Sequence, residues 1–177
     1  MSFTRQTDRL VLREYIPSDW ESVQAYAAIP EVTKYEAWGP NKPDETKKFV
    51  ADCLFLAKQN PRYKFEIAVT LPDGKLIGGV GIRRESQESF VANMGWVMHP
   101  EFQNRGYITE AARSLIDFGF NDLNLKVIYA TCDSRNAPSY RVMEKIGMKK
   151  VGILIGVREF KGEVSDMLRY EIISPGN

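Results

Sequence analysis

The residues best suited to chemistry lie in one run, Met94–Ala111, which reads Met-Gly-Trp-Val-Met-His-Pro-Glu-Phe-Gln-Asn-Arg-Gly-Tyr-Ile-Thr-Glu-Ala. A strand ends at Met98, and Pro100 blocks further sheet pairing. Ile108, Ala111, Ala112, Leu115, Ile116 and Gly119 then fall on one helical face. The polar turn between them feeds a helix whose first N–H groups have no intrahelical acceptor and point one way. The helix dipole adds partial positive charge, so an anion, above all a pyrophosphate, suits this turn. Gly106 lets such a group approach the backbone, because a Cβ there would hold it off. The bland alternative is a plain strand–turn–helix connection. The run lacks the Gly-Lys-Ser/Thr of a P-loop and the glycine spacing of a dinucleotide fingerprint. His99, the only histidine, precedes Pro100 at a strand end and reads as structural.

These residues need elements to hold them. Alternation predicts a strand over Arg9–Tyr15, stopped by Pro17. Ser18-Asp19-Trp20-Glu21 has the pattern of a capping box, so a helix runs from Asp19 to about Ala28, before Pro30. Glu31–Lys42 reads as a loop, and a second helix follows from about Asp44 to Gln59, with Phe49, Val50, Cys53, Leu54 and Leu56 on its apolar side. Strands over Phe65–Thr70 and Lys75–Arg83 flank the turn Leu71-Pro72-Asp73-Gly74, and Phe90–Met98 is the next strand. Beyond the central helix, Val127–Cys132 is a strand and Asn136–Ile146 a short helix with Gly147 at C′. Val151–Phe160 and Val164–Ile172 form a hairpin across Lys161-Gly162-Glu163. The order describes one mixed α/β layer without linker or repeat, a single domain over residues 1–177.

Composition narrows the partners. The 177 residues carry 24 Lys plus Arg against 23 Asp plus Glu, a net charge of +1, which argues against a dedicated nucleic-acid binder. Cys53 and Cys132 sit in no metal-like spacing, so no metal site is expected and the thiols read as free, in a reducing compartment. No apolar run approaches the roughly 20 residues that span a membrane, and the N-terminus lacks a signal-peptide stretch. The expected location is the cytoplasm.

Gln103-Asn104-Arg105-Gly106-Tyr107-Ile108-Thr109-Glu110-Ala111 resembles the Gln/Arg-x-x-Gly-x-Gly/Ala signature of GNAT acetyltransferases. Asn136-Ala137-Pro138-Ser139 followed by Glu144-Lys145-Ile146-Gly147-Met148 resembles that superfamily's second block. Arg9-Leu10-Val11-Leu12-Arg13 and Glu31–Pro40 resemble the amino-terminal hallmarks of the RimJ/RimL branch, which acetylates ribosomal-protein N-termini. The resemblance covers nearly the whole chain in the family's order. It implies an α+β GNAT fold, a mixed, mostly antiparallel sheet of about seven strands flanked by about four helices.

The resemblance further implies acetyl-CoA as co-substrate, with its pyrophosphate on Gln103, Asn104, Arg105, Gly106, Ile108 and Thr109. Ile108 stands where Gly or Ala is usual, so its side chain must point away from the phosphate. Val97 and Met98 are expected to pair with the pantetheine arm, the Met98 N–H polarising the thioester carbonyl. Asn136 would contact the CoA arm, or cap its helix. Ser139 would hydrogen-bond the departing thiolate, or lie idle on the helix surface, with Tyr140 the alternative acid. A Tyr common in the family is Met143 here. Lys145 or Arg141 would meet the 3′-phosphate, or be a solvated face.

The base is less obvious, because the family's glutamate positions hold Asn93 and Val151. The remaining carboxylates are Glu36, Glu110, Glu159 and Asp166, of which Glu110 and Asp166 are the named candidates; Glu110 would otherwise serve the helix dipole. Tyr35, Trp38 and Arg83 (or Arg84) are expected to line the acceptor pocket, Trp38 otherwise being a core aromatic. The acceptor is a protein N-terminal α-amine or a small-molecule amine: polyamine, amino acid analogue or antibiotic. A CoA-binding sensor without catalysis is the reading from another class. The chain is expected to act as a monomer or homodimer.

Overall fold

The computed structural model describes residues 3–84, 86, 88–160 and 162–176, with the backbone alone at 158–160. Its elements are β1 (Thr4–Gln6), β2 (Val11–Glu14), α1 (Asp19–Ala27), α2 (Pro30–Thr33), α3 (Pro43–Ala57), β3 (Lys64–Thr70), β4 (Leu76–Arg84) and β5 (Val91–Met98). A 3-10 turn (Pro100–Phe102) leads to α4 (Tyr107–Asn121), β6 (Val127–Asp133), α5 (Ala137–Lys145), β7 (Lys149–Phe160) and β8 (Glu163–Ile173). The eight strands form one sheet in the order β1-β2-β3-β4-β5-β6-β8-β7. Among the described residues β5–β6 is its one parallel pairing. This is the mixed, mostly antiparallel α+β arrangement expected.

The sheet is covered on both faces at its centre. Ile67, Val80, Ile82 and Met94 bury one face against Ala111, Ala112, Leu115 and Ile116 of α4. Tyr15, Ala68 and Leu76 bury the other against Val23 and Tyr26 of α1 and Val50 and Cys53 of α3. Double coverage explains why β4 is a nearly continuous apolar and glycine run, buried from Leu76 through Ile82, instead of an alternating one.

Three features depart from expectation. Strand β1 is extra, because three residues are too short to show an alternation. Helix α2 lies inside the expected loop at Glu31–Lys42, a single turn started by Pro30 at its first position. The capping box at Ser18 does not form: Ser18 has helical backbone (φ −73°, ψ −13°) and makes no side-chain cap. Asp19 turns inward instead, accepting from Arg13 Nη1 at 2.7 Å, Arg13 Nη2 at 2.9 Å and the Ile16 N–H at 2.8 Å. The terminal hairpin forms, but Lys161 of its turn lies outside the described residues.

Candidate active site

Strand β5 stays with β4 through Met98, and β6 stays with β8 through Asp133. They pair with each other only where Val91–Asn93 meet Val127–Tyr129. Beyond that point the two strands part, and a cleft opens between backbones with polar groups to offer. Met94, Gly95 and Trp96 form one wall and Ala130, Thr131 and Cys132 the other. Asn136, Ser139 and Met143 of α5 close one end, and Tyr35 and Glu36, after α2, close another.

Register decides which β5 groups face the cleft. The His99 N–H donates to Ile77 O at 2.9 Å, so residues 99 and 97 direct their polar groups to β4. Met98 and Trp96 therefore direct theirs to the cleft. This corrects the expectation for Val97, whose backbone serves β4. Trp96, which sequence reading passed over, faces the cleft instead, as Met98 does. The alternation of strand polar groups was the signal available; the missing fact was its phase.

At the end of β5 the chain turns tightly. Asn104 (φ 60°) and Gly106 (φ 79°) are left-handed, with Arg105 between them at negative φ. Such alternation turns successive N–H groups toward one point and makes an anion-binding nest. The first bond of α4 runs from the Glu110 N–H to Gly106 O, so the N–H groups of residues 107–109 precede the helical ladder. Gln103 Nε2 donates to Met98 O at 3.1 Å and ties the loop to β5. The Ile108 side chain packs against the core, which leaves its N–H side open as its departure from the family pattern requires.

Helix α5 brings two polar residues to the cleft. Asn136 Oδ1 accepts from the Ser139 N–H at 3.2 Å, so Asn136 caps the helix while also lining the pocket. The Ser139 side chain and the Cys132 thiol line the same pocket and interact there. Burial pushes the Cys132 thiol up to about 11, the Ser139 interaction opposing the rise, so Cys132 stays a neutral thiol. Tyr140 packs against the core beside Val142 and does not line the pocket.

The pocket end at Tyr35 is held by charge. Arg135 lies 5.7 Å from the Tyr35 ring centroid and Lys34 lies 5.3 Å from it. Asp133 accepts from Arg135 Nε and Nη2, each at 2.9 Å. Those bonds, with a further one from Ser165, hold the Asp133 carboxyl well below the usual carboxylate range against partial burial. Arg83 pairs with Glu66, and their heads occupy the space above glycines of β4 and β5. A Cβ on Gly81 would lie 2.5 Å from Glu66 Oε2, and one on Gly95 would lie 3.5 Å from Arg83 Nη1. Arg83 thus reaches the pocket edge at Gly95, whereas Arg84 is bonded to Ser89 O and Leu123 O.

Other candidates lie elsewhere. Glu110 is bound to Thr7 and Arg9 behind the loop. Partial burial pushes its carboxyl up, but those hydrogen bonds outweigh it and hold it below the usual range. Asp166 Oδ1 accepts from the Gly156 N–H at 2.9 Å, within the terminal hairpin. Neither named base candidate lines the pocket; Glu36 does. Trp38 is not a lining residue. His99 Nδ1 accepts from the Glu101 N–H at 3.2 Å, a structural cap as expected. Arg141 and Lys145 are exposed on α5. The Glu159 side chain lies outside the described residues. Among the described residues no group of three His, Cys, Asp or Glu side chains could hold a metal ion, and no helix is long and apolar enough to cross a membrane.

Comparison with known proteins agrees with this geometry. Residues 9–149 match the family described as Acetyltransferase (GNAT) domain. The N-acetyltransferase YnaD of Bacillus subtilis (strain 168) is 38% identical over 146 residues, 82% of each chain. A GNAT-family acetyltransferase crystal structure from Bacillus anthracis superposes with a TM-score of 0.86 at 32% identity, over 97% of this chain and 98% of that one. RimL, an alpha-N-protein acetyltransferase of ribosomal L7/L12 solved in complex with coenzyme A, superposes with a TM-score of 0.86 over 97% of each chain. At 15% identity that is a likeness of fold.

Proposed function

This chain belongs to the GNAT acetyltransferase family, and from that premise we propose that it moves the acetyl group of acetyl-CoA onto the α-amine of a protein N-terminus. Cofactor recognition is supported by the parted strands β5 and β6, by the left-handed turn at Asn104–Gly106, and by the polar groups of Trp96 and Met98 that face the cleft. The N–H groups of the loop, including those of Arg105, Ile108 and Thr109, would hold the pyrophosphate, and Asn136 would bond the arm. The Met98 N–H donates to the oxygen on which charge develops during attack. Ser139, beside Cys132, protonates the departing sulfur.

The observation that carries the acceptor class is how little base the pocket offers. Asn93 and Val151 stand where the family's glutamates are expected, and Glu36 is the carboxylate among the lining residues. The ion pair of Glu66 with Arg83 beside the cleft is internally neutral, unlike the acidic wall that a polycation would need. A weakly basic site suits an amine that sheds its own proton. At pH 7 an α-amine of pKa about 7.8 is about 14% neutral, whereas a lysine amine of pKa about 10.4 is about 0.04% neutral. Glu36, directly or through water, takes the proton released after attack. Tyr35 and Arg83 flank the peptide at the mouth.

Thiol release over a panel of amines tests this. A peptide with a free N-terminus should turn over, with log kcat/KM rising at unit slope to about pH 8 and then levelling. The same peptide with a blocked N-terminus and one lysine should be at least about 100-fold slower at pH 7. Equal rates on the lysine peptide, or faster turnover of spermidine, would reject the α-amine reading. No thiol release with any amine in the panel, alongside tight CoA binding, would favour a sensor.

Ser139→Ala should lower kcat roughly ten- to a hundredfold, toward the low end for a general acid because sulfur leaves readily. Its KM for acetyl-CoA should stay nearly constant, since the helix cap uses the Ser139 backbone. A loss confined to KM would contradict the acid role.

A further inference from the structure

Arg9, in the turn between β1 and β2, touches the phosphate loop at three consecutive residues about a hundred positions away. Its Nη1 donates to Arg105 O at 3.0 Å. Its Nη2 lies 3.4 Å from where a Cβ on Gly106 would sit. Its guanidinium lies 4.6 Å from the Tyr107 ring centroid. The rest of Arg9 is committed to Glu110. The Arg9 N–H donates to Glu110 Oε1 at 2.9 Å, and Nε donates to Oε2 at 2.7 Å. Thr7 Oγ1 donates to Glu110 Oε1 at 2.7 Å and accepts from the Leu10 N–H at 3.1 Å. The fork of Arg9 is therefore aimed before any ligand arrives.

One of these contacts has a direct effect on the loop. The Arg105 carbonyl and the Gly106 N–H belong to the same trans peptide plane and point in opposite directions. A carbonyl tethered to Arg9 on the outside turns the Gly106 N–H to the inside. A left-handed glycine has wide freedom to rotate that plane, so the tether removes the freedom that glycine brings. Glu110 offsets the charge of Arg9, which leaves geometry rather than net charge as its contribution.

We propose that Arg9, aimed by Glu110 and Thr7, is a positioning residue for the cofactor pyrophosphate, fixing the Arg105–Gly106 peptide so that its N–H faces the phosphates. The proposal rests on the acetyl-CoA reading above. It gives Glu110 a holding role in place of the catalytic one expected from sequence.

The test compares two donors, acetyl-CoA and acetyl-pantetheine, the second lacking the pyrophosphate. In Arg9→Ala the ratio of kcat/KM for acetyl-CoA to that for acetyl-pantetheine should fall at least tenfold, with the change in KM for acetyl-CoA and not in kcat. Arg9→Lys keeps the charge but cannot hold Glu110 and Arg105 O together, so it should fall nearly as far. It also serves as the readout where Arg9→Ala does not fold. Thr7→Val should lower the ratio less, and serves if neither Arg9 variant folds. An unchanged ratio in a folded Arg9 variant, or an equal loss with both donors, overturns the proposal. A wild-type protein with no preference for acetyl-CoA overturns the pyrophosphate reading of the loop itself. A strong wild-type preference with an unchanged variant ratio overturns Arg9 alone.

Discussion

Gly106→Glu raises the dissociation constant for acetyl-CoA at least about 100-fold, a loss of more than about 2.7 kcal/mol. Three effects add. The backbone at φ 79° is left-handed, and any side chain there costs about 1–2 kcal/mol. A Cβ at this point lies 3.4 Å from Arg9 Nη2, so a longer side chain displaces the guanidinium that holds the Arg105 carbonyl. The new carboxylate then repels the charges the loop is built to hold. Gly106→Ala carries the backbone strain with little of the other two effects and should lose no more than about tenfold. Calorimetric titration with CoA measures both, and thermal unfolding reports the strain separately. Gly106 is exposed, so its substitution leaves the core packing of α4 intact. A folded Gly106→Glu that binds CoA as the wild type does would refute the loop as the pyrophosphate site.

Asp19→Ala destabilises the fold by about 3 kcal/mol, the low end for breaking a buried ion pair. The Asp19 side chain is 6% exposed and that of Arg13 is 22% exposed. Removing the carboxylate strands the Arg13 guanidinium with little water and frees the Ile16 N–H. The partial exposure of Arg13 is what keeps the cost from the top of the range. For a chain of this size the unfolding midpoint should drop by roughly 6–12 °C. The effect reaches function because Asp19 anchors the start of α1, and the turn after α2 carries Tyr35 and Glu36 to the pocket. Replacing both partners with apolar residues, Asp19→Leu with Arg13→Met, should recover part of the loss, since no charge is then left unpaired. A midpoint in Asp19→Ala within about 2 °C of wild type would show that the pair contributes little.

The same residue marks where local reading fails. Ser18 and Glu21 have the spacing of a capping box, and α1 does begin at Asp19. The box is absent because Ser18 has helical backbone in place of the extended backbone of a cap, while Asp19 pairs with Arg13 on the adjacent strand. Spacing recognised a helix start, but not which side chain would satisfy it.

The site divides along the same line. The turn at Gln103–Gly106 and the cap at Asn136 were readable, because each is local. A proline, a glycine and a helix face within a few residues, or an Asn three residues before the N–H that it accepts, need no knowledge of the remainder of the chain. The cleft was not readable from either strand alone. Met94–Trp96 and Ala130–Cys132 face each other because β5 and β6 part after three residue pairs, and parting is a property of two ladders. Glu36 stood as one of four carboxylates until the fold brought it, and neither Glu110 nor Asp166, to the wall.

The sequence by itself determined the order of the elements apart from β1 and α2, a glycine in the turn before α4, and the family. Those follow from periodicity, from the steric freedom of glycine and from two motifs in register. Only the tertiary structure decided which strand groups face the cleft, that Trp96 does so in place of Val97, and that Arg9 holds Glu110 across a hundred residues. Those are matters of phase and contact between distant segments. No local pattern encodes them, because the energy that selects them comes from burying both partners together.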